Sequence, residues 1–188
     1  MLTMNRATVI SETKDGLEIG APGKSDFFID LARGTETANA PFRGERVAGD
    51  FVLRARVRPE HIAKYDAGGL FVYGGPRTWV KLAFELTDLG YPSVVSVVTD
   101  KGSDDANGER QDGREELWLQ VARKGEAWAL HWSVDGRSWR MARYFSLKMK
   151  AGPIAGFIAQ SPVGKGCVAR FDKMRVEART VKDLRAGR

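Results

Sequence analysis

The sequence predicts an all-β protein, a sandwich of two antiparallel sheets, on three observations. Apolar and polar residues alternate with period two in at least four runs. Turn residues punctuate those runs at short intervals. No window combines the length and the 3.6-residue period of a stable helix. Counting the short runs gives about ten to twelve strands, the pattern of a sandwich or barrel. One polar face per strand predicts sheets buried on one side only.

The runs are legible one by one. In Asp50 to Arg58, Phe51, Leu53, Ala55 and Val57 share one face and Arg54, Arg56 and Arg58 the other. In Thr78 to Leu86, Val80, Leu82, Phe84 and Leu86 point one way, while Trp79, Lys81, Ala83 and Glu85 point the other. Leu117, Leu119 and Val121 form a third apolar set, and Trp128, Leu130, Trp132 and Val134 a fourth. Gly74-Gly75-Pro76, Gly90-Tyr91-Pro92, Lys124-Gly125, Asp135-Gly136 and Gly152-Pro153 supply turns between them. The segment Thr99 to Gly113 is rich in Asp, Gly, Asn, Ser, Lys and Arg and predicts a long exposed loop. The best helical window, Thr180 to Arg188, is too short to stand without docking. Ser133-Val134-Asp135-Gly136-Arg137-Ser138-Trp139 reads as a tight hairpin similar to a shortened sialidase Asp box, and as a folding element.

Composition narrows the function classes. With 188 residues, 43% apolar and 29% charged, the chain suits one folded domain, drawn here as a sandwich over 1–178 followed by a basic tail over 179–188. No apolar run approaches the ~20 residues of a membrane span, and the opening Met1 to Arg6 lacks a signal-peptide core, so neither membrane nor export is expected. The single Cys167 excludes an internal disulfide and suits the cytoplasm. The net charge is +6, and from Arg170 onward seven bases against three acids carry four of those six charges. A surplus gathered at one end, without interleaved aromatics, does not predict a nucleic-acid face.

The order of several short motifs resembles a known family. Ser25-Asp26-Phe27-Phe28, Gly49-Asp50-Phe51, Tyr65-Asp66-Ala67-Gly68-Gly69-Leu70 and Trp79-Val80-Lys81 with Glu85 come in sequence. Ser96 to Thr99 with Ser103-Asp104, the Ser133 to Trp139 hairpin, Gly152-Pro153, Ser161-Pro162 and Phe171-Asp172 follow. Over about Leu17 to Glu177 the series resembles the concanavalin-A-like family of the DUF1349 type, which includes the regulation-of-enolase proteins. It is also similar to the C-terminal sandwich of family-43 glycosidases. The resemblance implies a jelly-roll of the lectin/glucanase superfamily. The family often carries Trp where Phe28 and Asp105 stand and Gln where Ala67 stands, positions expected at the surface.

Catalytic patterns are sparse. The closely spaced Glu-x-Asp-x-x-Glu carboxylates of glucanases on this fold are not present, and the adjacent Glu115 and Glu116 face opposite ways on a strand. His61 and His131 belong to no nucleophile elbow, and Cys167 reads as a small buried hydrophobe. One Cys and two distant His do not make a zinc site, and the acids of 99–113, interspersed with Lys101, Arg110 and Arg114, predict a mobile, metal-free loop. No cofactor is expected. The candidate ligand face joins Trp79, Lys81 and Glu85 to Arg54 and Arg56: an indole plate beside charged donors and acceptors suits a sugar or similar polar ligand. Trp79 is expected exposed, and Lys81 and Glu85 at the surface. The plainer alternative is an exposed cross-strand ladder of Arg–Glu and Lys–Glu pairs. The sequence therefore supports a non-catalytic carbohydrate-binding sandwich, with a protein-interaction or regulatory module and a weak glycoside hydrolase as alternatives.

Overall fold

A computed structural model describes residues 2–5, 8–149, 152–179 and 181–188. Met1, Arg6 and Thr180 of the segments read above lie outside the described residues. The strands in chain order are β1 (Leu2–Met4), β2 (Thr8–Glu12), β3 (Gly16–Pro22), β4 (Phe27–Asp30), β5 (Thr35–Ala38), β6 (Phe42–Arg46), β7 (Phe51–Pro59) and β8 (Ala67–Gly75). They continue with β9 (Thr78–Leu86), β10 (Pro92–Asp100), β11 (Gly102–Arg110), β12 (Leu117–Lys124), β13 (Ala127–Ser133), β14 (Arg140–Ser146), β15 (Ile154–Gln160) and β16 (Gly166–Glu177). No helix occurs among the described residues.

Two seven-stranded sheets stack as a sandwich. One runs β1-β6-β15-β8-β9-β10-β11, the other β14-β13-β12-β7-β16-β3-β2. Every ladder is antiparallel, including the separate hairpin β4–β5. The core lies where the sequence pattern puts it. Leu53, Ala55 and Val57 of β7 and Leu119, Val121 and Leu130 of the second sheet face Leu70, Val80, Leu82, Phe84 and Phe157 of the first. Burying each large aliphatic or aromatic side chain contributes roughly 1.5–3 kcal/mol.

The expectation that each sheet buries one face only is corrected. The outer face of the first sheet carries a second apolar cluster, in which Phe27 and Ile29 of β4 pack on Phe71 and Trp79. The outer face of the second sheet is covered in part by the segment after β16. Val181 packs on Val52 and Ala122, the Leu184 carbonyl lies 2.8 Å from His131 Nε2, and the Gly187 carbonyl accepts from Gln120 Nε2 at 3.0 Å. The described residues of this segment are not helical and dock on the sheet. His131, on the polar phase of β13 as expected, is fully buried by it.

Two further expectations change. The segment 99–113 is mostly strand: Lys101, at φ 68°, turns β10 into β11, which pairs with it along its length. Strand β11 lies at the sheet edge with most residues exposed on both faces, so no alternation marks it. Two of its three acids are matched by arginines, Asp104 by Arg143 at 3.0 Å and Glu109 by Arg140 at 2.7 Å. Val134, assigned to an apolar set, is exposed in the turn that follows β13. That turn is organised by Asp135, whose carboxylate accepts the Arg137 and Ser138 amides at 2.8 Å. These bonds, Ser138 first, hold its carboxyl well below the usual carboxylate range. Only Gly136 there needs the left-handed region, at φ 71°, and a Cβ on it would meet the Trp118 ring.

Candidate functional site

The β4–β5 hairpin covers only part of the first sheet's outer face, and beside it opens a cleft of about 390 Å³. Lys81 and Glu85 of β9 and Gln160 at the end of β15 form its floor. Phe28 of β4 and Tyr65 of the β7–β8 loop stand at its sides, and Asp105 of β11 reaches in from the sheet edge. Three chain segments are pinned together at one end. Ser25 and Ser161 form an isolated antiparallel bridge, and Ser161 Oγ donates to Asp66 Oδ1 at 2.6 Å. The other Asp66 oxygen accepts the Ile62 and Ala63 amides and so closes the loop that carries Tyr65. Tyr65 itself sits at φ 67°, a strained value for an aromatic residue, held by its amide donating to the Leu86 carbonyl at 2.6 Å.

The polar floor is ordered by a lysine. Lys81 is 2% exposed. Its ammonium donates to Asp26 Oδ1 at 2.9 Å, the Phe27 carbonyl at 3.3 Å and Gln160 Oε1 at 2.6 Å. All three N–H donors are used. Between the Lys81 row and the Glu85 row, Ala83 of β9 pairs with Gly69 of β8, low enough for Lys81 and Gln160 to meet over them. Because Lys81 claims the amide oxygen, the Gln160 Nε2 end must point the other way. It donates to the Tyr65 carbonyl and to Glu85 Oε2, both at 3.2 Å.

Glu85 is 6% exposed. Burial pushes its carboxyl up to about 8, against the opposing pull of the Lys81 charge, so at neutral pH it is mainly the uncharged acid. Its second oxygen, Oε1, has no hydrogen-bond partner among the described residues and is not sealed from the cleft. Asp105 is likewise weakened as an acid, first by burial, with Lys81 opposing. A raised native pKa means that the unfolded state loses the Glu85 proton first. Stability from this group is therefore full below about pH 4.5 and falls as pH rises through about 8. Glu85→Gln should remove that loss. Relative to the wild type it is expected to gain stability on the order of 3 kcal/mol between pH 5 and pH 9, read from denaturant midpoints at each pH. A pH-independent difference would contradict the buried acid.

The five residues expected to share a ligand face do not share one. Lys81 and Glu85 meet in the cleft. Trp79 lies on the same phase of β9 but is fully buried, its ring edge-on to Phe27 at 5.3 Å under the hairpin. The expectation of an exposed indole is corrected by that cover. Arg54 and Arg56 stand on β7, in the other sheet, on a face that points away from the cleft. Arg54 donates to Gln120 Oε1 and lies 4.7 Å over the Trp139 ring, while Arg56 joins Asp172 and Glu116. On that sheet the charged ladder is what forms. Alternation fixes a side chain's phase on its own strand and says nothing about which sheet the strand joins.

Phe28, Tyr65, Asp26, Asp105 and Gln160 complete the cleft without having been singled out. The signal was present in the motif series, since Ser25-Asp26-Phe27-Phe28, Tyr65-Asp66, Lys81 with Glu85 and Ser161-Pro162 all converge here. Of the three positions with departures from the family pattern, Phe28 and Asp105 line the cleft. Ala67 is buried between Glu85 and Gln160 in the ladder rather than at the surface.

Known structures share the architecture. A functionally unknown protein from Saccharomyces cerevisiae superposes with a TM-score of 0.89 at 21% identity, over 96% of this chain and 97% of that one. A xylan beta-1,4-xylosidase from Bacillus halodurans gives 0.66 at 13% identity over 86% of this chain, which spans 32% of that enzyme. An alginate lyase from Klebsiella pneumoniae gives 0.54 at 11% identity, over 86% of this chain and 80% of that one. At these identities the likeness is one of fold. No curated protein matches the sequence. No helix of the described residues is long and apolar enough to cross a membrane. Residues 3–179 match the family described as "Protein of unknown function (DUF1349)", and the chain belongs to that family.

Proposed function

We infer that the protein is a non-catalytic β-sandwich that holds a carbohydrate or similar polyhydroxylated ligand in the cleft beside the β4–β5 hairpin. One observation carries the reading. The Glu85 carboxyl is almost wholly buried, yet one of its oxygens is unpartnered and open to the cleft, between the half-exposed rings of Phe28 and Tyr65. Aromatic faces beside a carboxyl suit a sugar, whose C–H groups stack while its hydroxyls bond. The buried Cys167 thiol, pushed up to about 12 chiefly by burial, fits a reducing compartment, and the reading places the chain in the cytoplasm.

Titration of a panel of soluble mono- and oligosaccharides, followed by calorimetry and by Tyr65 backbone amide shifts, tests the reading. Binding that Tyr65→Ala weakens at least tenfold, with an unchanged melting temperature, supports it. A panel without any binder, or turnover of aryl glycosides, counts against it. A protein-interaction role is the second reading, favoured by exposed Ile62, Leu89 and Val163 on the loops around Tyr65. A glycan panel without any binder would favour it over the first.

A further inference from the structure

The segment after β16 docks on the second sheet through a closed chain of hydrogen bonds. Arg54 donates to Gln120 Oε1 at 3.0 Å from Nε and again from Nη2, which fixes the amide with its nitrogen toward the tail. Gln120 Nε2 then donates to the Gly187 carbonyl at 3.0 Å and lies 3.4 Å from His131 Nδ1. His131 Nε2 meets the Leu184 carbonyl at 2.8 Å. A carbonyl only accepts, so Nε2 carries the proton and Nδ1 is the bare acceptor that faces Gln120. A second proton on the ring would set an N–H against the Gln120 N–H. Turning the amide does not relieve this, because its nitrogen would then face the Arg54 donors and its oxygen the Gly187 carbonyl. The tail fits its place closely. Gly187 sits at φ 71°, and a Cβ there would come within 3.1 Å of the His131 ring and 3.2 Å of Gln120 Nε2. The tail also arrives as a preformed turn, since Asp183 and Arg188 pair through their backbones and the Asp183 carboxylate accepts the Arg185 and Ala186 amides.

We propose that residues 181–188 form an acid-released strap: a doubly protonated His131 is incompatible with the docked tail, so acidification frees the tail and uncovers Val52, Gln120, Ala122 and His131 on the outer face of the second sheet. Among the described residues, the charges around the ring are Arg54 of β7, which opposes a second proton, and Asp183 of the tail, which favours one. Strand β12 offers the neutral Gln120, and β14 sets Met141 opposite. Burial is the largest influence and holds the imidazole below its ordinary range while the tail is docked. Undocked, the ring regains its ordinary value of about 6.5. Docking is therefore full above that pH and weakens by up to about tenfold for each unit below it. The device lies on the sheet opposite the cleft and depends on no ligand there.

NMR of the full chain between pH 7.5 and pH 4.5 tests the strap, with imidazole nitrogen shifts reporting the tautomer and charge of His131. Backbone order parameters of residues 183–187 are expected at about 0.85 at pH 7.5 and below about 0.6 at pH 4.5, falling as His131 titrates, while β7 and β12 stay rigid. His131→Gln should abolish the pH dependence, whether the new amide holds the tail or leaves it free. His61→Gln, which removes the other buried histidine, should leave it intact. Gly187→Ala should free the tail at pH 7.5 and raise the His131 midpoint toward about 6.5, the reciprocal effect that linkage requires. A doubly protonated His131 under a rigid tail, a tail already mobile at pH 7.5, or a tail still docked at pH 4.5 over an uncharged His131 each overturns the proposal. So does release that keeps its midpoint in His131→Gln or disappears in His61→Gln, and so does a His131 midpoint that Gly187→Ala leaves in place.

Discussion

Trp79→Ala is expected to destabilise the protein by about 3–5 kcal/mol, the cost of removing a buried indole from a packed site. For a chain of this size that corresponds to a fall in melting temperature of about 10 °C. Trp79 is fully buried, and its neighbours Phe27 and Phe71 are large rings that cannot close over the space it leaves. The hairpin that carries Phe27 also holds Phe28 and Asp26 against the cleft, so any ligand affinity should fall with stability rather than independently of it. Trp79→Phe separates packing from polarity. The indole Nε1 has no hydrogen-bond partner among the described residues, so phenylalanine loses no bond and should cost only about 1–2 kcal/mol. Thermal and denaturant unfolding of both variants decide the matter. An alanine variant as stable as the wild type would mean that the hairpin does not seal the indole.

Lys81→Met should be nearly as damaging, at about 2–3 kcal/mol, although methionine keeps most of the aliphatic stem. Its removal leaves the Asp26 carboxylate, the Phe27 carbonyl and Gln160 Oε1 without their common donor. Truncating one member of a buried pair leaves the other uncompensated, which costs about 3–5 kcal/mol when both are sealed. Asp26 keeps a side chain 18% exposed, so water recovers part of that. Lys81→Met combined with Asp26→Asn should therefore be more stable than the sum of the single changes predicts, by at least 1 kcal/mol, because the orphaned charge is gone. Strict additivity in that cycle would show that the two side chains do not act as a pair. A single variant within 0.5 kcal/mol of the wild type would remove Lys81 as the organiser of the floor.

The site was half legible. Lys81 and Glu85 were placed on one face of one strand by period two alone, and the structure keeps them together in the cleft. The expectation that they lie at the surface fails because the hairpin and Gln160 cover them. Arg54 and Arg56 show the converse. Their phase was correct, but β7 belongs to the other sheet. Strand β11 was missed because an edge strand exposed on both faces has no reason to alternate.

The sequence by itself determined the class of fold and the inner faces of the strands. Alternation is local: a residue and its second neighbour point the same way on any strand, so Leu53, Ala55 and Val57, or Val80, Leu82 and Phe84, had to share a core-facing side. Only the tertiary structure decided what lies over the outer faces. Lys81 meets Asp26 from 55 positions away and Gln160 from 79, while the tail reaches back across 67 residues to place the Gly187 carbonyl on Gln120. Strand partners and covering segments at such separations are set by long-range pairing that leaves no period in the chain. The same alternating strand can therefore present a solvated ladder, as at Arg56, or a buried acid facing a cleft, as at Glu85.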